Sequence, residues 1–264
     1  MKLTTTISVA ALLILSSFAV MADEQHVQPI APELYQLDEE NQRLVATYKR
    51  MFRYYSRRNF SNTRTVRVLL SNYPQHVEPI MYTAFDRYPK SYRYLIKAAI
   101  DAEPAFTRDI ITMALNMGVG EPSEIVKLAV EAEPSYADDI VRTVSARSEA
   151  NLSEIIRVAV RVEPQMASSI MQSASQEQPT KIDVIVQAIL ESVPTMGSYI
   201  VTLFNDLIGK STADTSDAER ALQRDRATQV ILGAHRAGLD IEQLRLTATQ
   251  YGISENELSE LIKP

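Results

Sequence analysis

The sequence predicts an all-α fold: an α-solenoid of right-handed type, built from helical hairpins and closed by an atypical helical C-terminal cap. Three observations carry the prediction. Pro74, Pro104, Pro134, Pro164 and Pro194 stand thirty residues apart. Apolar residues recur within each thirty-residue window at helical spacing. Each window is also punctuated a second time near its middle.

The regular windows are 75–104, 105–134, 135–164 and 165–194, and three end alike, in Ala102-Glu103-Pro104, Ala132-Glu133-Pro134 and Val162-Glu163-Pro164. Their sixth position reads Ile80, Ile110, Ile140 and Ile170, continued by Ile200; the seventh reads Met81, Ile111, Val141, Met171 and Val201. The tenth reads Ala84, Ala114, Val144 and Ala174, and the third is mostly small, in Thr107, Ala137, Ala167 and Gly197. Positions three, six, seven and ten form one helical face. The second half repeats the pattern, as in Ile125-Val126 followed by Ala129-Val130, and Ile155-Ile156 followed by Ala159-Val160. Each window is therefore two helices of about three turns. Proline suits a helix start, where its missing N–H would be unpaired anyway. Tyr88-Pro89, Gly118-Val119-Gly120-Glu121-Pro122, Glu149-Ala150-Asn151 and Gln178-Pro179 mark the turn inside each pair. Helices this short need neighbours on both sides to bury their faces, which is why such units come in arrays.

In this logic the chain resembles exported bacterial α-solenoid proteins of the TPR and HEAT kind. Its period is shorter than either, and it has no Trp for the usual TPR pattern. The resemblance implies stacked helix pairs and carries over no functional residue.

The ends depart from the ruler. Met1-Lys2-Leu3, the apolar run Ile7 to Val20 and Val20-Met21-Ala22 read as a signal peptide cleaved after Ala22. With no Cys there is no lipidation site, disulfide or thiolate metal site, so the protein is expected in the periplasm or secreted, and not as a lipoprotein. Residues 23–42 read as a loose acidic leader, and 43–208 as the array, whose divergent first unit begins near Leu44. Residues 209–217 read as a polar loop and 218–264 as the cap, with Gly238 and Gly252 each entering a short helix and Ser254 and Glu257 at capping-box spacing.

Charge is distributed unevenly. After signal removal, 26 basic against 33 acidic residues leave about −7. Between Arg43 and Lys97, however, twelve Lys and Arg face only Glu78 and Asp86, and this stretch holds eight of the twelve Tyr. A guanidinium donates in a planar fork to phosphate, sulfate or carboxylate, and tyrosine adds a flat face with a hydroxyl. Lys49, Arg50, Arg53, Tyr54, Tyr55, Arg57, Arg58, Lys90, Tyr92 and Arg93 are therefore the candidate contact residues. Their expected partner is an acidic protein surface or an anionic envelope polymer. The bland reading is a first core layer filled by tyrosines, with Arg stems lying over them.

Catalytic constellations are missing. His26, His76 and His235 are far apart, and none has a second ligand at metal spacing. Gly118-Val119-Gly120 follows no strand, so it is no nucleotide loop. Asp138-Asp139 suits the dipole of a helix start, and no nucleophile elbow is present. No cofactor is expected. The sequence reads as a non-catalytic binding or scaffold protein of the bacterial envelope. The alternatives are an enzyme or accessory acting on an envelope polysaccharide, with carboxylates gathered on one side of the array, and a binder of extracellular nucleic acid, which would lose affinity steeply with salt.

Overall fold

A computed structural model describes residues 37–147, 152–199, 205–209 and 216–263. The expected signal peptide, most of the leader, the mid-window turn at 149–151, Ile200, Val201 and most of the polar loop lie outside the described residues.

The described residues contain helices and no strand. Ten helices make five pairs: α1 Glu39–Arg57 with α2 Asn62–Asn72, α3 Val77–Arg87 with α4 Tyr92–Ala102, α5 Thr107–Asn116 with α6 Pro122–Ala132, α7 Ala137–Ser145 with α8 Leu152–Val162, and α9 Ala167–Glu177 with α10 Ile182–Ser192. We call these units one to five. Residues 205–208 are also helical, and among the described residues α11 Asp217–Arg236, α12 Ile241–Gln250 and α13 Glu255–Leu261 follow them. The second helix of each unit starts at 62, 92, 122, 152 or 182, so the thirty-residue ruler holds to the residue. The N-terminal boundary needs correction. Asp38 accepts a hydrogen bond from Asn41 N–H at 2.7 Å and caps α1 at Glu39, inside the stretch read as a loose leader.

Proline sets the turn between units. Tyr73, Glu103, Glu133, Glu163 and Val193 each precede one, and each is driven to an extended φ between −132° and −143°. Their N–H groups still close the helix behind them, as Glu103 does to the Ala99 carbonyl at 3.0 Å, while their carbonyls accept the N–H three residues on. Proline thus opens a 3-10 turn of three residues before the first α-helix of units two to five, rather than standing inside that α-helix.

Two turns within units use a left-handed residue instead. Asn59 (φ 61°) and Gly118 (φ 57°) let Phe60 N–H reach the Tyr55 carbonyl and Val119 N–H reach that of Ala114, at 3.1 and 3.2 Å. Gly238 and Gly252 end α11 and α12 by the same device, with Leu239 and Ile253 as the following apolar residues.

Packing is in sequence order and in two rows. Each first helix packs on the next first helix, α1 through α9, and each second helix on the next second helix, α2 through α10, with α11 extending that row. Ile80, Ile110, Ile140 and Ile170 are at most 1% exposed, and burying an isoleucine contributes about 1.5–3 kcal/mol. Gly233 of α11 lies so close to α10 that a Cβ there would stand 2.3 Å from the Asp183 carbonyl oxygen. Arg236 pairs with Asp183 at 2.6 Å beside it. Tyr251 reaches back to donate to the Asn205 side chain (3.1 Å) or the Gly209 carbonyl (3.0 Å). Ser216 with Glu219 and Ser254 with Glu257 form capping boxes at the starts of α11 and α13.

A basic aromatic corner as candidate binding site

The ten candidate residues divide into those that hold the units together and those that face out. Lys49 pairs with Asp86 of α3 at 3.0 Å. Arg93 pairs with Glu124 of α6, and the Tyr92 hydroxyl donates to the same carboxylate. Burial, helped by that hydrogen bond, pushes the Tyr92 phenol above its usual value. The Tyr92 ring also explains Gly120, because a Cβ there would fall 2.6 Å from its Cε2. Lys49, Tyr92 and Arg93 therefore link neighbouring units, a contact their place in the sequence does not show.

Lys90 is exposed in the 3-10 turn before α4, a unit away from the rest. Arg50, Arg53, Arg57 and Arg58 are exposed at the C-terminal half of α1 and its end. Arg50 donates to Thr47 Oγ1 (3.2 Å) and Arg53 Nε to the Lys49 carbonyl (3.3 Å). Among the described residues, none of these four forms an ion pair.

Aromatic rings shape this corner. Tyr54, 52% exposed, carries the Arg58 guanidinium 5.1 Å from its ring centre and meets Tyr55 edge-on at 5.4 Å. Tyr55 packs on Phe60 at 5.2 Å, and Arg64 stacks over Phe60 at 3.9 Å. Cations stacked this way keep their N–H edges free to donate. Phe60 and Arg64 were not singled out in the sequence. Their signal was the Arg57-Arg58-Asn59-Phe60 run, in which asparagine in the left-handed region swings the next apolar residue back onto the helix end.

The remaining tyrosines of the stretch divide: Tyr48 goes inward, Tyr82 and Tyr88 are half-buried, and Tyr73 and Tyr94 stay exposed. Tyr48 is 3% exposed and shares a 2.6 Å hydrogen bond with His76 Nδ1. Burial first, and Tyr73 second, push its phenol up to about 12. Phe52 packs near Tyr88, with ring centres 6.2 Å apart. Tyr48 and Phe52 align with Glu78 and Tyr82 of α3, one helical position round from the usual core. Position six, Ile80 in unit two, is Arg50 here, and position ten, Ala84, is Tyr54. Of the four positions that interior units bury, the first unit exposes Arg50 and Tyr54 and half-buries Thr47 and Met51.

Known proteins supply no template. A scan of protein-family models and searches of the curated proteins and the solved structures find no match.

A shallow cavity of about 220 Å³ lies between units three and four, lined among others by Arg108, Asp109, Tyr136, Asp139 and Thr143. The Asp139 carboxylate is engaged by Arg142 of its own helix. Among the described residues no three His, Cys, Asp or Glu gather as metal ligands, and no helix is long and apolar enough to cross a membrane. Glu78 accepts a hydrogen bond from Asn41 Nδ2 at 3.0 Å. Burial, with Asp109 and Asp38 nearby, raises its carboxyl above the ordinary range.

Proposed function

We propose that the chain is a non-catalytic binding or scaffold protein of the bacterial envelope. In this reading it is exported, loses residues 1–22, and stacks its helix pairs as an α-solenoid of right-handed type. Its first unit contacts an acidic protein surface or an anionic polymer. The observation that carries the reading is the corner at the end of α1, where Arg58 lies over Tyr54, Arg64 lies over Phe60, and Arg53 and Arg57 are exposed nearby in sequence, none of the four with an ion-pair partner among the described residues. Elsewhere in the same basic stretch Lys49, Arg67, Arg93 and Lys97 are paired with acids. Leaving several arginines unpaired beside exposed rings favours an anion from outside, because charge-assisted bidentate bonds and ring contact then form together. Alignment of the two helix rows supports the solenoid reading, since among the described residues the units pack mainly on their sequence neighbours.

The test is the triple variant Arg53→Glu, Arg57→Glu, Arg58→Glu, used as bait on envelope extract beside the native protein. Loss of partner capture with unchanged helicity is expected; undiminished capture would overturn the reading. Binding that weakens steeply with salt and accepts any nucleic-acid sequence would reassign the corner to nucleic acid.

A further inference from the structure

Two rows of charge little used inside the array, one acidic and one basic, repeat at similar spacing. Glu103, Glu133 and Glu163 follow the last residues of α4, α6 and α8 in almost one backbone conformation, with φ of −142°, −143° and −132° and ψ of 79°, 84° and 82°. The three glutamates therefore hold equivalent places at the ends of α4, α6 and α8, each half-buried. Successive units are offset by one helix-packing distance, about 8–10 Å. The neighbouring acids of this row are spent inside the array: Asp101 pairs with Arg67 at 3.0 Å, and Glu191 with Arg157 at 2.5 Å. Glu103, Glu133 and Glu163 form no ion pair among the described residues; Glu133 accepts from Ser135, and Glu163 from the Gln165 N–H at 3.3 Å.

The opposite charge stands on α1. Arg43, Arg50 and Arg57 come every seventh residue and are exposed. At 1.5 Å per residue their spacing is about 10.5 Å along one helix face, which drifts by only about 20° per heptad. Arg43 touches Glu39 at 3.6 Å, but both side chains are more than 80% exposed, so that pair holds it weakly. This is the face on which Arg50 and Tyr54 replace the core residues Ile80 and Ala84 of the next unit.

We infer that a second copy of this chain docks on this face: the Arg43, Arg50, Arg57 stripe of one copy lies along the Glu103, Glu133, Glu163 edge of another. The inference rests on the reading of the outer α1 face as a contact surface and names an occupant for it. The charges are complementary, their spacings of about 8–10 Å and about 10.5 Å are close, and Tyr54 supplies apolar area beside them. Because stripe and edge are different surfaces of the same chain, the contact is heterologous and each bound copy leaves its own edge open. Assembly therefore continues past two copies. Exposed ion pairs are individually small and are screened by salt, so it depends on concentration and ionic strength.

Light scattering and sedimentation of the purified protein over a concentration series, at low and high salt, test this. Average mass is expected to rise past twice the monomer at low salt and to return to monomer at high salt. The variant Arg50→Glu, Arg57→Glu and the variant Glu103→Lys, Glu133→Lys, Glu163→Lys should each remain monomeric. All the altered side chains are at least partly exposed, so helicity should be unchanged. Mixing the two variants should restore assembly, because each then offers the other a matched surface. A native protein that stays monomeric at every concentration, or assembly that survives both variants, would overturn the inference. If the native protein is monomeric while the Arg53, Arg57, Arg58 reversal still abolishes envelope capture, the binding reading stands and only the second-copy occupant falls.

Discussion

Unit one and the interior units are cut to the same backbone frame, yet they spend their side chains differently. In units two to five the sixth position of the first helix is Ile80, Ile110, Ile140 or Ile170, at most 1% exposed and packed against helices of the same row and the other. In unit one the same position is Arg50, which is exposed, and the buried rings are Tyr48 and Phe52, two residues before and after it. An interior helix has neighbours before and after it in its row. Among the described residues α1 has only α3 in its row. Its apolar residues rotate toward that neighbour, and the opposite face is released from packing. Repetition thus constrains the middle of the array, while the end is where a charge pattern can be chosen for other reasons.

The comparison is broken most directly by truncating the same position in both settings. Ile110→Ala leaves a cavity with helices on every side and should cost about 2–5 kcal/mol, read from urea or thermal unfolding. Arg50→Ala should stay within about 0.5 kcal/mol. If the two changes cost the same, unit one is packed like the interior and the account of its outward face fails.

The far end gives the next largest effect. Gly233→Ala would drive a methyl group into the Asp183 backbone, where neither partner is the movable tip of a side chain. A loss of about 1–3 kcal/mol is expected, with faster amide exchange in residues 227–236 and little change in units two to four. Uniform loss of protection would show that α11 is not a separable terminal element.

Alkaline pH should distinguish unit one at smaller cost. Tyr48 ionises at about 12 in the folded chain against 10.0 in the unfolded one. Its contribution to stability is complete below the unfolded value and lost as pH rises toward the folded value. Tyrosine absorbance and amide exchange should report α1 loosening from His76 between pH 10 and about 12. The variant Tyr48→Phe keeps the ring and should lose that step, and an unchanged alkaline profile would assign it elsewhere.

How much of this was legible in advance depended on range. The five proline turns follow from the prolines, because a ring-fixed φ and a restricted preceding residue act within three or four residues. The capping box of Ser254 and Glu257 is local in the same way. The start of α1 was misplaced because Asp38, its cap, sits among acids that read as leader. The basic stretch was legible as composition but not as a site. Arg93 and Arg58 look alike in sequence, yet one is tied to Glu124 thirty-one residues away and the other lies on Tyr54 in solvent.

By itself the sequence determined the period, the helix pairs and the positions that are buried in every interior unit, since those depend on spacing along one chain and on turn residues acting locally. Only the tertiary structure decided which charges are spent between units and which remain free. Those pairings run from one unit to the next, as Arg67 to Asp101 and Arg157 to Glu191 do across thirty-four residues. It also decided the rotation of α1, because a helix with one row neighbour buries whichever face that neighbour can cover.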